Sequence, residues 1–185
     1  KSLAFFIKQK IGYGQVRDVK NKNACIYVCA HQQGVSYITW LVHTHLNHPT
    51  KQMQLTTRIL SQPWCQEFMS QFGKPFPKVS PFESHWLTGF VEGDGSFQIN
   101  TTKDVRVMLQ VDQKQPELLK SIQTTFGGYV GFRASTQTFY YSSTSFKNAF
   151  KLVNYFDRFQ LLGRKRLDYL YWRKCVLLIA QKSHL

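Results

Sequence analysis

Apolar positions recur at helical spacing along parts of the chain and alternate along others. Ser2 to Ile11 carries Leu3, Phe6, Ile7 and Ile11 as one stripe, predicting a helix that Gly12-Tyr13-Gly14 ends. Two short strands are predicted next, Gln15 to Val19 and Ala24 to Ala30, joined by a polar turn at Lys20-Asn21-Lys22-Asn23. After a loop at Gln32-Gln33-Gly34, Ile38, Leu41, Val42 and Leu46 predict a helix from Ser36 to Leu46. His48-Pro49-Thr50 breaks it, and Lys51 to Leu60 reads as helix again. Pro63, Pro75, Pro77 and Pro81 then punctuate the chain. A short helix over Pro63 to Gln71 and an extended linker through Gly73-Lys74-Pro75-Phe76-Pro77-Lys78 follow from them.

The organising stretch runs from His85 to Phe97, HWLTGFVEGDGSF. It begins as an apolar helix and ends in an acid between two glycines, after which Phe97 and Ile99 alternate with Gln98 and Asn100. Gly89 and Gly93 lie one helical turn apart on a shared face, where a second helix can approach backbone to backbone. Asp94 stands at the end of that contact, placed to help hold a divalent cation. Taken alone, Gly-Asp-Gly also fits an ordinary turn. Two strands follow, Ser96 to Thr101 and Val105 to Gln113, turning at Thr102-Lys103-Asp104. In the second, Val107, Leu109 and Val111 alternate with Arg106, Met108, Gln110 and Asp112, an apolar face against a polar one. Glu117 to Phe126 is helical and stops at Gly127-Gly128. Strands at Tyr129 to Arg133 and Thr138 to Ser143 lead to helices from Phe146 to Phe156 and Lys165 to Gln181. In the last, Leu167, Leu170, Tyr171, Lys174, Val176, Leu177 and Leu178 mix apolar and basic positions.

The two halves repeat. Leu3 to Gly14 pairs with Leu118 to Tyr129 in one register, two strands follow in each, and Leu41-Val42 pairs with Leu152-Val153 after a small drift. Long-period self-similarity of this kind marks duplicated, stacked units. The second unit opens earlier: about 30 residues ahead of Leu118, carrying the glycine-rich helix and two strands, have no counterpart before Leu3. A complete first unit is expected to have its own motif helix.

Twenty-four basic residues against 10 acidic ones give a net charge of +14, which favours a polyanionic partner. A hydrophobic share of 43% excludes a disordered chain. No run approaches membrane-spanning length and no basic amphipathic helix stands out, so nucleic acid is expected rather than a membrane surface. Cys25, Cys29, Cys65 and Cys175 show no zinc-site spacing. His43, His45 and His48 are close in sequence, and helix-end positions facing solvent or phosphate are preferred over a metal site there.

Leu87 to Gly95 resembles the LAGLIDADG motif of homing endonucleases position for position. The resemblance extends to Leu3–Gly34, which looks like the first lobe of the two-motif proteins of organellar group I introns. Trp86–Leu185, ending LLGRKRLDYLYWRKCVLLIAQKSHL, looks like the second lobe. It implies an α+β fold of two pseudo-symmetric αββαββα lobes with saddle-shaped antiparallel sheets straddling duplex DNA. Residues 1–60 are then a partial first lobe without its motif helix and first two strands, 61–83 a linker, and 84–185 a complete second lobe.

The resemblance also implies metal-dependent phosphodiester hydrolysis, Mg being the expected ion, in a mitochondrial protein. Asp94 matches the metal-binding acid, and Gln113 matches a polar residue near the attacking water. Lys165 lies near the place of the family's lysine, where Gly163 and Arg164 also fit the alignment; Lys51 is its counterpart in the first lobe. Base reading falls to Gln98, Asn100, Arg106, Gln110, Arg133, Ser135 and Gln137, since Arg suits guanine and Gln or Asn adenine. Arg17, Lys20 and Lys22 suit phosphates. Only one motif acid is present. A fragment of an intact enzyme, a split protein whose partner chain supplies the other acid, and a non-cleaving binder all remain open. An RNA maturase or a component of an organellar ribonucleoprotein, such as a mitochondrial ribosome, is the alternative function. Residues 1–185 alone are not expected to make double-strand breaks.

Overall fold

A computed structural model describes residues 2–74, 76–102 and 104–181. Pro75 of the linker, Lys103 of the turn after Thr101 and the last four residues of the C-terminal pattern lie outside them. The chain divides into two units, residues 1–79 and 80–185.

The first unit comprises α1 (Ser2–Ile11), β1 (Gln15–Asp18), β2 (Cys25–Val28), α2 (Gln32–Val42), α3 (Pro49–Leu55) continuing as π-helical turns over Thr56–Leu60, and α4 (Pro63–Gln71). Helix α2 begins four residues before the predicted start and ends at Val42 instead of Leu46. Gly34, expected to sit in a loop, is a packing residue: a β-carbon there would lie 2.6 Å from Cys29 Sγ and 2.7 Å from Tyr13 Cβ. At the other end, the His43 backbone N–H bonds to Thr39 O, and its Nδ1 lies 3.1 Å from the carbonyls of both Thr39 and Trp40. Among the described residues, no group of histidine, cysteine or carboxylate side chains is placed to hold a metal ion, His43, His45 and His48 included. Helix α4 packs on α2, with Trp40 edge-on to Phe72 and Phe68 stacked on it. Burial here is shallow. Cys65 is the one hydrophobic residue of this unit, among those described, that is fully buried.

The second unit comprises α5 (Trp86–Asp94), β3 (Gly95–Asn100), β4 (Arg106–Gln113), α6 (Glu117–Phe126), β5 (Tyr129–Arg133), β6 (Thr138–Ser142), α7 (Phe146–Arg158) and α8 (Lys165–Ala180). Its antiparallel sheet has the order β3-β4-β6-β5. One face is a core. Val107, Leu109 and Val111 of β4 and Tyr141 of β6 meet Leu87 and Val91 of α5, Leu119, Ile122 and Phe126 of α6, and Leu152 and Phe156 of α7. Among the described residues, nothing hydrogen-bonds the hydroxyl of buried Tyr141, and desolvation raises its phenol's pKa. Phe97 of β3 lies within 5.5 Å of the rings of Phe156, Tyr169 and Trp172. Tyr169, Trp172 and Val176 are therefore the buried stripe of α8, whereas Leu167, Leu170 and Tyr171 are exposed. Tyr169 OH and the Arg173 guanidinium both donate to Asp157 at the end of α7, at 2.6 and 2.8 Å.

The predicted repeat has a structural basis and a one-residue correction. Gly12 after α1 and Gly127 after α6 share a φ of 79°. The strands, however, align Gln15↔Val28 with Tyr129↔Ser142, so Gly14, not Tyr13, corresponds to Gly128. Both are positive-φ glycines pressed under the ring and carbonyl of a strand end. A β-carbon at Gly14 would meet Val28 O at 2.7 Å, and one at Gly128 would meet Ser142 O at 2.5 Å. The first half thus has one extra turn residue, Tyr13, whose carbonyl accepts from Tyr27 OH at 2.8 Å. With that offset α2 and α7 begin at matching positions, Gln32 and Phe146, and Leu41-Val42 corresponds to Tyr155-Phe156 instead of Leu152-Val153.

Candidate functional site

Helix α5 buries Leu87, Thr88 and Val91, and Thr88 Oγ1 donates to Phe159 O at 2.6 Å. The opposite face is open: β-carbons built at Gly89 and Gly93 would meet nothing within 4 Å among the described residues. The helix then ends abruptly. Gly95 N–H bonds to Val91 O, and a β-carbon at Gly95 would sit 2.6 Å from Val91 Cγ1 and 2.9 Å from its carbonyl. Only glycine lets the chain turn from helix into β3 so tightly, which leaves Asp94 exposed at the junction.

Two predicted site residues converge there. The register Gly95↔Val111 carries the end of β4 past the start of β3, and Gln113 Nε2 donates to Asp94 Oδ2 at 2.6 Å. Lys165, at the start of α8, sets its ammonium on the end of α5, donating to the carbonyls of Val91, Glu92 and Gly93 at 3.1, 2.9 and 3.1 Å. A cation there complements the helix dipole and caps the carbonyls of the last turn. Glu92 returns the contact, its Oε1 accepting from Gly163 N–H at 2.6 Å. A β-carbon at Gly163 would collide with that carboxylate at 2.5 Å. Glu92 is thus a tie between α5 and the loop before α8. Lys51 lies exposed on α3, in the other unit.

The sheet face away from the core carries Ser96, Gln98 and Asn100 of β3, Arg106, Met108, Gln110 and Asp112 of β4, Thr138 and Tyr140 of β6, and Tyr129 and Arg133 of β5. Five of the predicted base readers, Gln98, Asn100, Arg106, Gln110 and Arg133, share it. Asn100 Oδ1 accepts from the backbone N–H and the hydroxyl of Thr102, and Arg106 pairs with Asp104 at 3.3 Å. Arg133 Nη1 donates to Asp112 Oδ1 at 2.8 Å. Ser135 and Gln137 lie off this face, in the turn between β5 and β6. Gln137 takes a φ of 51° and donates to Ala134 O. Of the residues expected to touch phosphate, Arg17 is on β1 and bonds Gln15 at 3.4 Å, and Lys20 and Lys22 are exposed in the β1–β2 turn. Sequence reasoning placed Asp112 on the polar side of β4 but assigned it no role, and passed over Tyr140 entirely. Their importance lies in cross-strand neighbours, which only register reveals.

The first unit carries just two acids, Asp18 and Glu67, and the second eight. The charged residues of the first unit are thus almost all cationic. No helix among the described residues is long and apolar enough to cross a membrane.

Residues 87–176 match the family described as LAGLIDADG endonuclease. An uncharacterized 37.2 kDa protein of cox1 intron 2 from Schizosaccharomyces pombe is 39% identical over 188 residues, covering 99% of this chain and 58% of that protein. The intron-encoded RNA maturase bI4 of Saccharomyces cerevisiae is 32% identical over 71 residues, 38% of this chain and 11% of that protein. The chain thus spans little more than half of the first relative and far less of the second. Among solved structures, the LAGLIDADG homing endonuclease I-GzeII in complex with its DNA target aligns with a TM-score of 0.69 at 21% identity, covering 100% of this chain and 78% of that one. An α+β unit with an antiparallel sheet, a motif helix ending in Gly-Asp-Gly and these matches lead to one assignment: residues 87–176 of this chain belong to the LAGLIDADG endonuclease family.

Proposed function

We propose that this chain forms the DNA-reading part and one half of the cleavage centre of a metal-dependent, site-specific double-strand endonuclease. The observation that carries the reading is Asp94: an exposed carboxylate at the tight end of the motif helix, held by Gln113 on one oxygen. Its other oxygen takes no hydrogen bond among the described residues, which suits one ligand of a hard divalent cation such as Mg2+. One carboxylate is a sparse donor set, so the remaining oxygens must come from water, phosphate and a second acid. When bound, such ions stabilise charge on the attacking and leaving oxygens of a phosphodiester.

The chain's own residues do the rest. Gln113 fixes the Asp94 rotamer and keeps a second amide N–H for a water. Lys165 adds positive charge at the helix end, with Lys51 in the corresponding role in the first unit. The open sheet face, with Gln98, Asn100, Arg106, Gln110 and Arg133, lies in the major groove, and Ser135 and Gln137 reach its edge. Arg17, Lys20 and Lys22 meet phosphates. The open Gly89–Gly93 face receives a second motif helix, from a partner chain or from another segment of the same protein, which brings the second acid. Residues 1–60 and 84–185 are the two lobes, and the site of action is the mitochondrion, as the intron-encoded relatives suggest. The similarity to an RNA maturase supports a second reading, in which the same basic surfaces bind structured RNA, in a ribonucleoprotein or during splicing.

The test is plasmid cleavage with Mg2+ by residues 1–185 and by a chimera in which they replace the matching part of the S. pombe relative. The expected result is double-strand cutting by the chimera, at most a nick after Asp94→Asn, and no double-strand break from residues 1–185 alone. Double-strand cutting by residues 1–185 alone, or a chimera indifferent to Asp94→Asn, overturns the reading.

A further inference from the structure

On the open face of the second unit's sheet, three strands together build a small platform. Asp112 of β4, Tyr140 of β6 and Gly131 of β5 stand directly opposite one another across the sheet. Gly131 has no room for a side chain: a β-carbon would lie 2.6 Å from the Tyr140 ring and 2.7 Å from that of Tyr129. Its missing side chain lets Tyr140 lie over β5. Arg133 rests on this floor, its guanidinium carbon 5.1 Å from the Tyr140 ring centroid, a cation–π distance. Asp112 then grips it from the side through Nη1 at 2.8 Å and takes Gln110 Nε2 on its second oxygen, also at 2.8 Å.

This is unlike an ordinary surface pair. Arg106–Asp104 on the same sheet is 72% exposed on both sides and has one contact at 3.3 Å. Arg133 and Asp112 are about 40% exposed, and the arginine is held from two directions. A carboxylate in the middle of a surface that meets a polyanion also opposes binding, because it repels the phosphates that dominate affinity. Its value must lie elsewhere, in orientation.

We propose that Asp112 is a positioning residue that sets base specificity. It holds Arg133 flat on Tyr140, so that the nitrogens not bound to Asp112 present a planar fork to guanine O6 and N7. It also turns Gln110 with its amide N–H inward and Oε1 outward, as an acceptor for an exocyclic amino group of adenine or cytosine. Side-chain freedom is lost before binding and not during it. The proposal rests on the reading that this face enters the major groove of duplex DNA.

The test is selection from a random-sequence duplex pool by residues 1–185 at one fixed salt concentration, with wild type, Asp112→Ala, Asp112→Asn and Arg133→Ala. Thermal melts confirm that each variant is folded. Wild type is expected to favour guanine at one position by roughly 5- to 150-fold, the range for a bidentate arginine contact, and Arg133→Ala to lose that preference. Asp112→Ala is expected to cut the preference at least about threefold while binding unselected duplex more tightly, by about twofold or more, and Asp112→Asn to fall between. Opposite movements of specificity and affinity are what a merely structural residue would not produce. An unchanged guanine preference in Asp112→Ala, or specificity and affinity falling together, overturns the proposal. Wild type that selects no duplex sequence, or binds RNA instead, overturns the duplex reading beneath it, an outcome recognisable because no variant then differs in base preference.

Discussion

Replacing Lys165 with methionine removes the ammonium while keeping most of the stem's length and packing. In the protein its Nζ lies 2.9–3.1 Å from the carbonyl oxygens of Val91, Glu92 and Gly93. A hydrogen bond to a charged group contributes about 1.5–3 kcal/mol, and a cation at a helix C-terminus up to about 2 kcal/mol. The two are the same contact seen twice, so they do not add. Gly93 is exposed and Glu92 half-buried, so water recovers part of the loss, and Val91 O keeps its bond from Gly95 N–H. The net cost is about 1–2 kcal/mol, or on the order of 5–10 °C in melting temperature for a unit of this size. Urea denaturation followed by fluorescence, which reports buried Trp172, measures it. Lys165→Arg is expected to recover only part, because a planar fork does not converge on three carbonyls as a compact ammonium does. Stability within about 0.3 kcal/mol of wild type, against the net hydrogen-bond worth expected here, would refute the argument. It would place the ammonium in solvent or on phosphate.

Two further outcomes follow from the same packing. Burial pushes the Asp157 carboxyl up, but hydrogen bonds from Arg173 and Tyr169 and the Arg173 charge outweigh it, so its pKa lies below the ordinary carboxylate value. A depressed folded pKa means a contribution fully present above about pH 4 and lost as acid protonates the group below that. Asp157→Asn should therefore flatten the acid limb of a stability–pH curve, by less than about 1 kcal/mol because the pair is more than a third exposed; an unchanged limb contradicts it. The contrast in burial predicts that residues 80–185 alone unfold in one cooperative transition, whereas residues 1–79 alone show none. A sharp calorimetric peak for 1–79 would argue against this.

Local signals carried much of this fold. The bounds of α1, α4 and α6 follow from apolar spacing closed by Gly or opened by Pro, and the alternation in β4 placed Val107, Leu109 and Val111 in the core. Non-local packing decided the rest. Gly34 reads as a breaker until Tyr13 and Cys29 are brought against it. On α8 the apolar positions Leu167, Leu170 and Tyr171 stay exposed, and Phe97 and Asp157 recruit Tyr169 and Trp172 instead, because those aromatics bring ring area and, in Tyr169, a hydroxyl that donates to Val153 O and Asp157. The site divides similarly. Asp94 was legible from its flanking glycines and Gln113 from family resemblance, but the hydrogen bond between them needs the β3–β4 register. The Asp112–Arg133–Tyr140 platform needs the β4–β6–β5 register, which no single stretch of sequence encodes.

The proposed function requires a sheet face that reads duplex DNA. Its most direct test is a competition in which a labelled duplex selected by residues 1–185 is challenged, at one salt concentration, with unlabelled duplex of the same sequence and with the corresponding double-stranded RNA. Displacement by the duplex at concentrations at least about tenfold below those needed for RNA is the predicted result, because the deep, narrow RNA major groove does not admit the sheet face. Equal or stronger displacement by RNA would contradict it.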